Sequence, residues 1–140
     1  MENVVLRFHH IGMAVYDFEK SIPFYEAQGY QKKVEIYDPE QNVEVAVLKH
    51  VVSPCVELLA PHDEKSPINN ILAKSGSTPY HICYEVKNIE DAIAYLRKEK
   101  FLPVSKPKVS NAFDNRRVCF LIKKDVGLIE IIEENKYEAI

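Results

Sequence analysis

Two histidines and two glutamates recur along the chain at nearly constant spacing. His81 follows His10 by 71 residues, and Glu130 follows Glu57 by 73. Each histidine opens an alternating stretch, "HHIGMAV" or "YHICYEV", and each glutamate is embedded in an apolar one, "CVELLA" or "GLIEII". Strand side chains alternate between faces, so His10 shares a face with Gly12 and Ala14, opposite Ile11, Met13 and Val15. His81 likewise shares a face with Cys83 and Glu85. Glu57 points away from Val56 and Leu58, and Glu130 away from Ile129 and Ile131. A carboxylate in the middle of such a strand is costly to bury unless something compensates its charge. A divalent cation does so: two neutral imidazoles, two carboxylates and a dication form a neutral site. Its nitrogen and oxygen donors suit Zn, Ni, Co, Mn or Fe(II). Taken singly, each residue also has a plainer reading, a hydrogen-bonded or exposed strand histidine and a glutamate facing water. No compact ligand spacing such as H-E-x-x-H decides between them.

The elements that must position these residues also repeat. At the offset of 71, Asn88 falls on Asp17, Glu90 on Glu19, Ile93 on Ile22 and Phe101 on Tyr30. At the offset of 73, Val118 falls on Val45 and Leu121 on Leu48. Each half reads strand, helix, strand, strand, strand. Asp17 and Asn88 are placed as helix N-caps, with Gly29 as the stop of the first helix and Pro23 an interruption inside it. Between the halves, "SPINNILAKSG" predicts a short helix over 66–76, with Ser66 as N-cap and Pro67 in the first helical position. The organisation expected is a single α+β domain over 1–140. Module 5–61 and module 79–134 are joined by a helical linker, 62–78.

Composition narrows the partners. The 140 residues are 46% hydrophobic and 28% charged, with a net charge of −3. That gives no basic stripe for nucleic acid and no polybasic membrane patch. No apolar run approaches the roughly 20 residues that span a bilayer, and the first residues lack a signal-peptide pattern. A cytoplasmic location is expected. The three cysteines never occur as C-x-x-C and fit buried free thiols in a reducing compartment. Arg116 shares a face with Val118 and Phe120, where it could clamp a carboxylate or phosphate of a substrate. The other reading is a solvated hairpin charge. His9, His50 and His62 fall on the other face, at a strand end or in a loop, and are set aside as ligands.

The segments "HHIGMAVYDFEKSIPFYE", "DPEQNVEVAVL", "VELLAPHDEKSPI", "YHICYEVKNIEDAIAYL" and "VCFLIKKDVGLIEIIE" cover nearly the whole chain. In this order they resemble the vicinal oxygen chelate superfamily, nearest its glyoxalase I and methylmalonyl-CoA epimerase branch. The resemblance implies two βαβββ modules forming one cupped mixed sheet around one divalent metal ion (Zn, Ni, Co or Mn). Carried over, the ligands are His10, Glu57, His81 and Glu130. The implied reaction is proton transfer at a carbon beside a carbonyl, with Glu57 or Glu130 moving the proton and a small molecule as substrate. A homodimer is implied as well. Glyoxalase I chemistry on a hemithioacetal is one alternative, and a non-catalytic binding or resistance protein is another. The full ligand set weighs against the binder. Two departures bear on the substrate. Val45 stands where some epimerases of the superfamily place a catalytic glutamate, and "SNAFDNRR" replaces a glycine-rich turn.

Overall fold

The computed structural model describes residues 4–135. The sequence reads "NKYEAI", after the last strand, as a loose tail, and most of it lies outside the described residues. Among the described residues, no helix is long and apolar enough to cross a membrane. The described residues divide into two compact units, residues 10–80 and residues 4–9 with 81–135. The expected linker, 62–78, falls within the first.

The first unit is built from β1 (Arg7–Ala14) from His10 onward, α1 (Phe18–Ala27), β2 (Gln31–Asp38), β3 (Val43–Lys49), β4 (Cys55–Pro61) and α2 (Ile68–Ser75). Its strand order is β2-β3-β4-β1, with β1 parallel to β4 and the other pairs antiparallel. Asp17 caps α1 as expected, its carboxylate accepting from the Lys20 amide at 2.9 Å. The helix closes one face of the sheet. Ile22 packs there with Ala46, Leu48, Val56 and Leu58, and Met13 and Phe18 lie against them. The other face carries His10, Glu57 and the row Val43, Val45 and Val47, which is buried. Helix α2 packs against β4 with Ile68 and Leu72 buried, outside the core that α1 closes.

Gly29 ends α1 with φ +97°, where an L side chain is strained. A Cβ there would also stand 2.8 Å from His50 Nε2. That ring is fixed. Its Nδ1 accepts from the amides of Val52 and Ser53, so Nε2 carries the proton and donates to the Gln28 carbonyl at 2.8 Å. Gly29→Ala is therefore expected to destabilise the fold by about 2 kcal/mol or more, from positive φ and displacement of the ring together. The check is the urea midpoint at unchanged m-value.

The second unit contains β5 (Thr78–Val86) from His81 onward, α3 (Ile89–Lys98), β6 (Leu102–Pro103), β7 (Lys108–Ser110), β8 (Arg116–Lys123) and β9 (Gly127–Glu133). Its strand order is β5-β9-β8-β6, and β7 also pairs with β8. The segment "FLPVSKPKVS" (101–110) reads in the sequence as a strand broken by its prolines, and it forms two short pieces. Pro103 and Pro107 each withdraw a ladder donor, and the chain leaves the sheet between them. Asn88 caps α3 by accepting from the Asp91 amide at 2.9 Å. Ile89, Ala92 and Leu96 of α3 close a core with Val86, Leu121 and Ile131. The turn before β8 manages without glycine because Asp114 (φ 57°) and Asn115 (φ 59°) adopt the left-handed conformation themselves. These two residue types tolerate it better than most.

Candidate metal centre

In the first unit, parallel pairing sets Gly12 beside Glu57, and antiparallel pairing sets Val47 on its other side. His10, two residues before Gly12, therefore lies on the face of Glu57. Its Nε2 is 3.4 Å from Glu57 Oε1. The two residues are 0% and 6% exposed. Gly12 adds no side chain between them.

The second unit repeats the arrangement. Cys83 pairs with Glu130 in parallel, and Phe120 pairs with it antiparallel. His81, two residues before Cys83, has Nε2 3.3 Å from Glu130 Oε1. Both are buried, at 3% and 4% exposure. Phe120 sets its ring edge-to-face against the His81 imidazole, with centroids 5.3 Å apart. In each unit the histidine stands two residues ahead of the strand partner of the glutamate.

The chemistry of these pairs suits metal ligation. A charge-assisted N–H···O bond closes to about 2.7–2.9 Å, shorter than either separation. Two donor atoms held about 2.1 Å from one ion stand about 3.0–3.4 Å apart. The pairs have the second spacing. A neutral imidazole nitrogen and a carboxylate oxygen in a dry setting are the donors that borderline divalent cations take.

The surroundings of the first pair carry no further acid or base on its face of β3. Val45 is 1% exposed and lies between Ile36 and Leu59 in the sheet. Glu44 points the other way, as alternation requires, and its carboxylate binds His62 Nδ1. The His62 ring lies against Tyr37. Cys55, the strand partner of His10, is held protonated: burial pushes its thiol up to about 11, Glu57 adds to the rise and Lys49 opposes it. Burial also raises the Cys119 thiol.

Arg116 is not the solvated hairpin charge that one reading allowed. Its side chain is 8% exposed. It lies on the face of Glu130, four residues before Phe120 and so about 13 Å along β8. Nε donates to the Glu133 carbonyl at 2.8 Å, Nη2 binds the Glu85 carboxylate, and Nη1 approaches His9 Nε2 at 3.4 Å. Arg7 reaches the same Glu85 at 2.8 Å. His9, set aside in the sequence, also packs edge-on against Phe113. Glu85 and His9 as partners of Arg116 had no signal in the sequence beyond the shared face of His81 and Glu85.

A sequence model described as the Glyoxalase/Bleomycin resistance protein/Dioxygenase superfamily matches residues 9–120. The chain is 36% identical over 129 residues to the human mitochondrial methylmalonyl-CoA epimerase, covering 89% of this chain and 72% of that protein. The crystal structure of methylmalonyl-CoA epimerase from Mycobacterium tuberculosis superimposes with a TM-score of 0.85 at 26% identity, over 99% of this chain and 95% of that one. A methylmalonyl-CoA epimerase solved with methylmalonyl-CoA and NH4+ superimposes with a TM-score of 0.82 at 26% identity, over 94% and 96% of the two chains. The repeated strand–helix–strand–strand–strand order, the paired buried His–Glu contacts and these relatives agree: the chain belongs to the Glyoxalase/Bleomycin resistance protein/Dioxygenase superfamily, in its methylmalonyl-CoA-epimerase-like branch.

Proposed function

We propose that the chain is a divalent-metal-dependent enzyme that transfers a proton at the carbon beside a carbonyl, with a 2-carboxyacyl-CoA thioester of the methylmalonyl type as substrate. The observation that carries this reading is the matched pair of buried His–Glu contacts, one per unit. His10, Glu57, His81 and Glu130 would together hold one ion. The bound ion supplies Lewis-acid stabilisation of the negative charge that develops on the carbonyl oxygen during deprotonation. Glu57 is the carboxylate we assign to proton removal, because its face of β3 offers only valines in place of a second base. Glu130, in the second unit, is assigned to deliver a proton back to the α-carbon, so that removal and return fall to different carboxylates. The apolar surroundings of both carboxylates keep bulk water from competing for that proton.

Arg116 is assigned to the anionic end of the substrate, whose carboxylate or phosphate would take the place of Glu85 on the guanidinium. Arg116→Ala is then expected to raise KM about tenfold with kcat within a factor of about two, since the loss falls on binding. A fall in thermal stability with KM unchanged would assign the residue to the Glu85 pair alone.

Val45 also favours a second reading, isomerisation of a hemithioacetal, in which the liganding glutamates are the only bases. Two assays separate them. Equilibration of a single C2 epimer of methylmalonyl-CoA, followed by chromatographic or enzymatic resolution of the two epimers, supports the first. Loss of hemithioacetal absorbance with no action on the thioester supports the second. Tight binding of either compound without turnover would return the chain to the binding proteins. We place the chain in the cytoplasm, where its free thiols fit, and as a homodimer, which sedimentation tests.

A further inference from the structure

A groove of about 670 Å³ opens in the second unit, and neither His81 nor Glu130 lines it. That volume falls within the range of small-molecule sites. Its walls come from the residues leading into β1, the end of β5 with the turn after it, and one flank of α3. Asp91, Ala94, Tyr95 and Lys98 recur at helical spacing and so share that flank. Ile89, Ala92 and Leu96 of the same helix turn to the core instead. Glu85 and Lys87 enter from the β5 side, and Val4, Val5 and Arg7 close the groove opposite α3.

The lining offers three chemistries. Val4, Val5 and Ala94 give an apolar wall, to which half-buried Tyr95 adds an aromatic ring. Arg7, Lys87 and Lys98 bring positive charge. Glu85 does little to cancel it, because two guanidiniums already share that carboxylate, Arg7 at 2.8 Å and Arg116 from beyond the groove. Lys87 and the Tyr95 hydroxyl have no hydrogen-bond or ion-pair partner among the described residues. Asp91 adds an acceptor on the helix flank. Inorganic phosphate would leave the apolar wall uncovered, and a fatty acid would bring no donor to Asp91. A purine nucleoside phosphate meets all three. Its ring suits the apolar wall and Tyr95, its amino group or ribose hydroxyl donates to Asp91, and its phosphate accepts from the lysines. We propose that this groove binds a purine nucleoside phosphate. Two molecules carry that chemistry, the 3′-phospho-ADP end of a CoA thioester and a free nucleotide. The first source rests on the thioester reading above. It is favoured by β5, which carries His81 and, about 13 Å further along the strand, Glu85 of the groove.

The test titrates metal-loaded wild type, Lys87→Glu and Tyr95→Phe calorimetrically with adenosine 3′,5′-bisphosphate and with ATP. Steady-state kinetics on methylmalonyl-CoA and on the truncated methylmalonyl-pantetheine accompany it. The proposal expects saturable nucleotide binding at one site per chain, about tenfold weaker in Lys87→Glu and less affected in Tyr95→Phe. A KM raised by Lys87→Glu for the CoA ester alone, with the pantetheine ester unchanged, assigns the groove to the substrate's nucleotide. Nucleotide binding weakened by Lys87→Glu with both KM values unchanged assigns it to a free nucleotide. No saturable binding of either nucleotide overturns the proposal, as does binding that both variants leave unchanged. Wild type inactive on both esters overturns the thioester reading, while the titrations still decide the groove.

Discussion

His81→Ala is expected to lower metal affinity at least about 100-fold and turnover about 1,000-fold, while the chain stays folded. The imidazole is buried and stands 3.3 Å from Glu130 Oε1, so its loss removes a neutral nitrogen donor that no neighbouring strand position replaces. Phe120 lies beside it and Cys83 follows two residues later with its own strand contacts. Neither offers an imidazole nitrogen. His10→Ala should behave alike, because Gly12 and Val47 flank Glu57 on that side. The two variants should resemble each other more than either resembles a surface change, since each removes one histidine from a repeated pair. Metal content after reloading and dialysis measures the first effect, and steady-state kinetics the second. Circular dichroism guards against a folding artefact. Wild-type metal content in both variants would remove the ligand assignment.

Glu57→Gln separates ligation from proton transfer. The amide keeps an oxygen donor and the side-chain volume but cannot take a proton at neutral pH. Metal content should stay near that of wild type, and kcat should fall by about 100- to 10,000-fold, the usual contribution of a positioned base. The steep loss follows from Val45. It is 1% exposed and lies on the face of Glu57, where a second carboxylate would have shared the work. Val45→Glu in the Glu57→Gln background should therefore recover part of kcat, if the variant folds as judged by its melting curve. Glu130→Gln provides the comparison. A larger loss there than at Glu57 would move the base to the second unit, and full activity in both single variants would remove carboxylate catalysis.

The His–Glu pairs were legible because strand alternation has a fixed period and the chain repeats it. His10 and His81 could be assigned to faces without knowing any strand partner, and Glu57 and Glu130 stood out as charges in apolar runs. The caps at Asp17 and Asn88 were equally local. What could not be read depends on register between distant strands. Arg116 meets Glu85 31 residues away, and Arg7 meets the same carboxylate across 78 residues. Neither spacing has a sequence signature. Local rules also failed in two instructive places. Ser66 has the residue type of a cap but leaves its amides to backbone carbonyls. Asp114 and Asn115 supply left-handed backbone where glycine was the expected residue. In the 101–110 segment the prolines announced a broken strand, and the structure shows the two pieces as β6 and β7.

Solvent deuterium exchange at the acyl α-carbon tests the central claim most directly. The metal-loaded chain is incubated with methylmalonyl-CoA in D2O, and the label is located by NMR and mass spectrometry. The expected result is one deuteron at C2 at a rate that depends on enzyme concentration, abolished by chelation and restored by adding back the divalent ion. Absence of C2 label with a fully metal-loaded, folded chain, at thioester concentrations where binding is measurable, contradicts it.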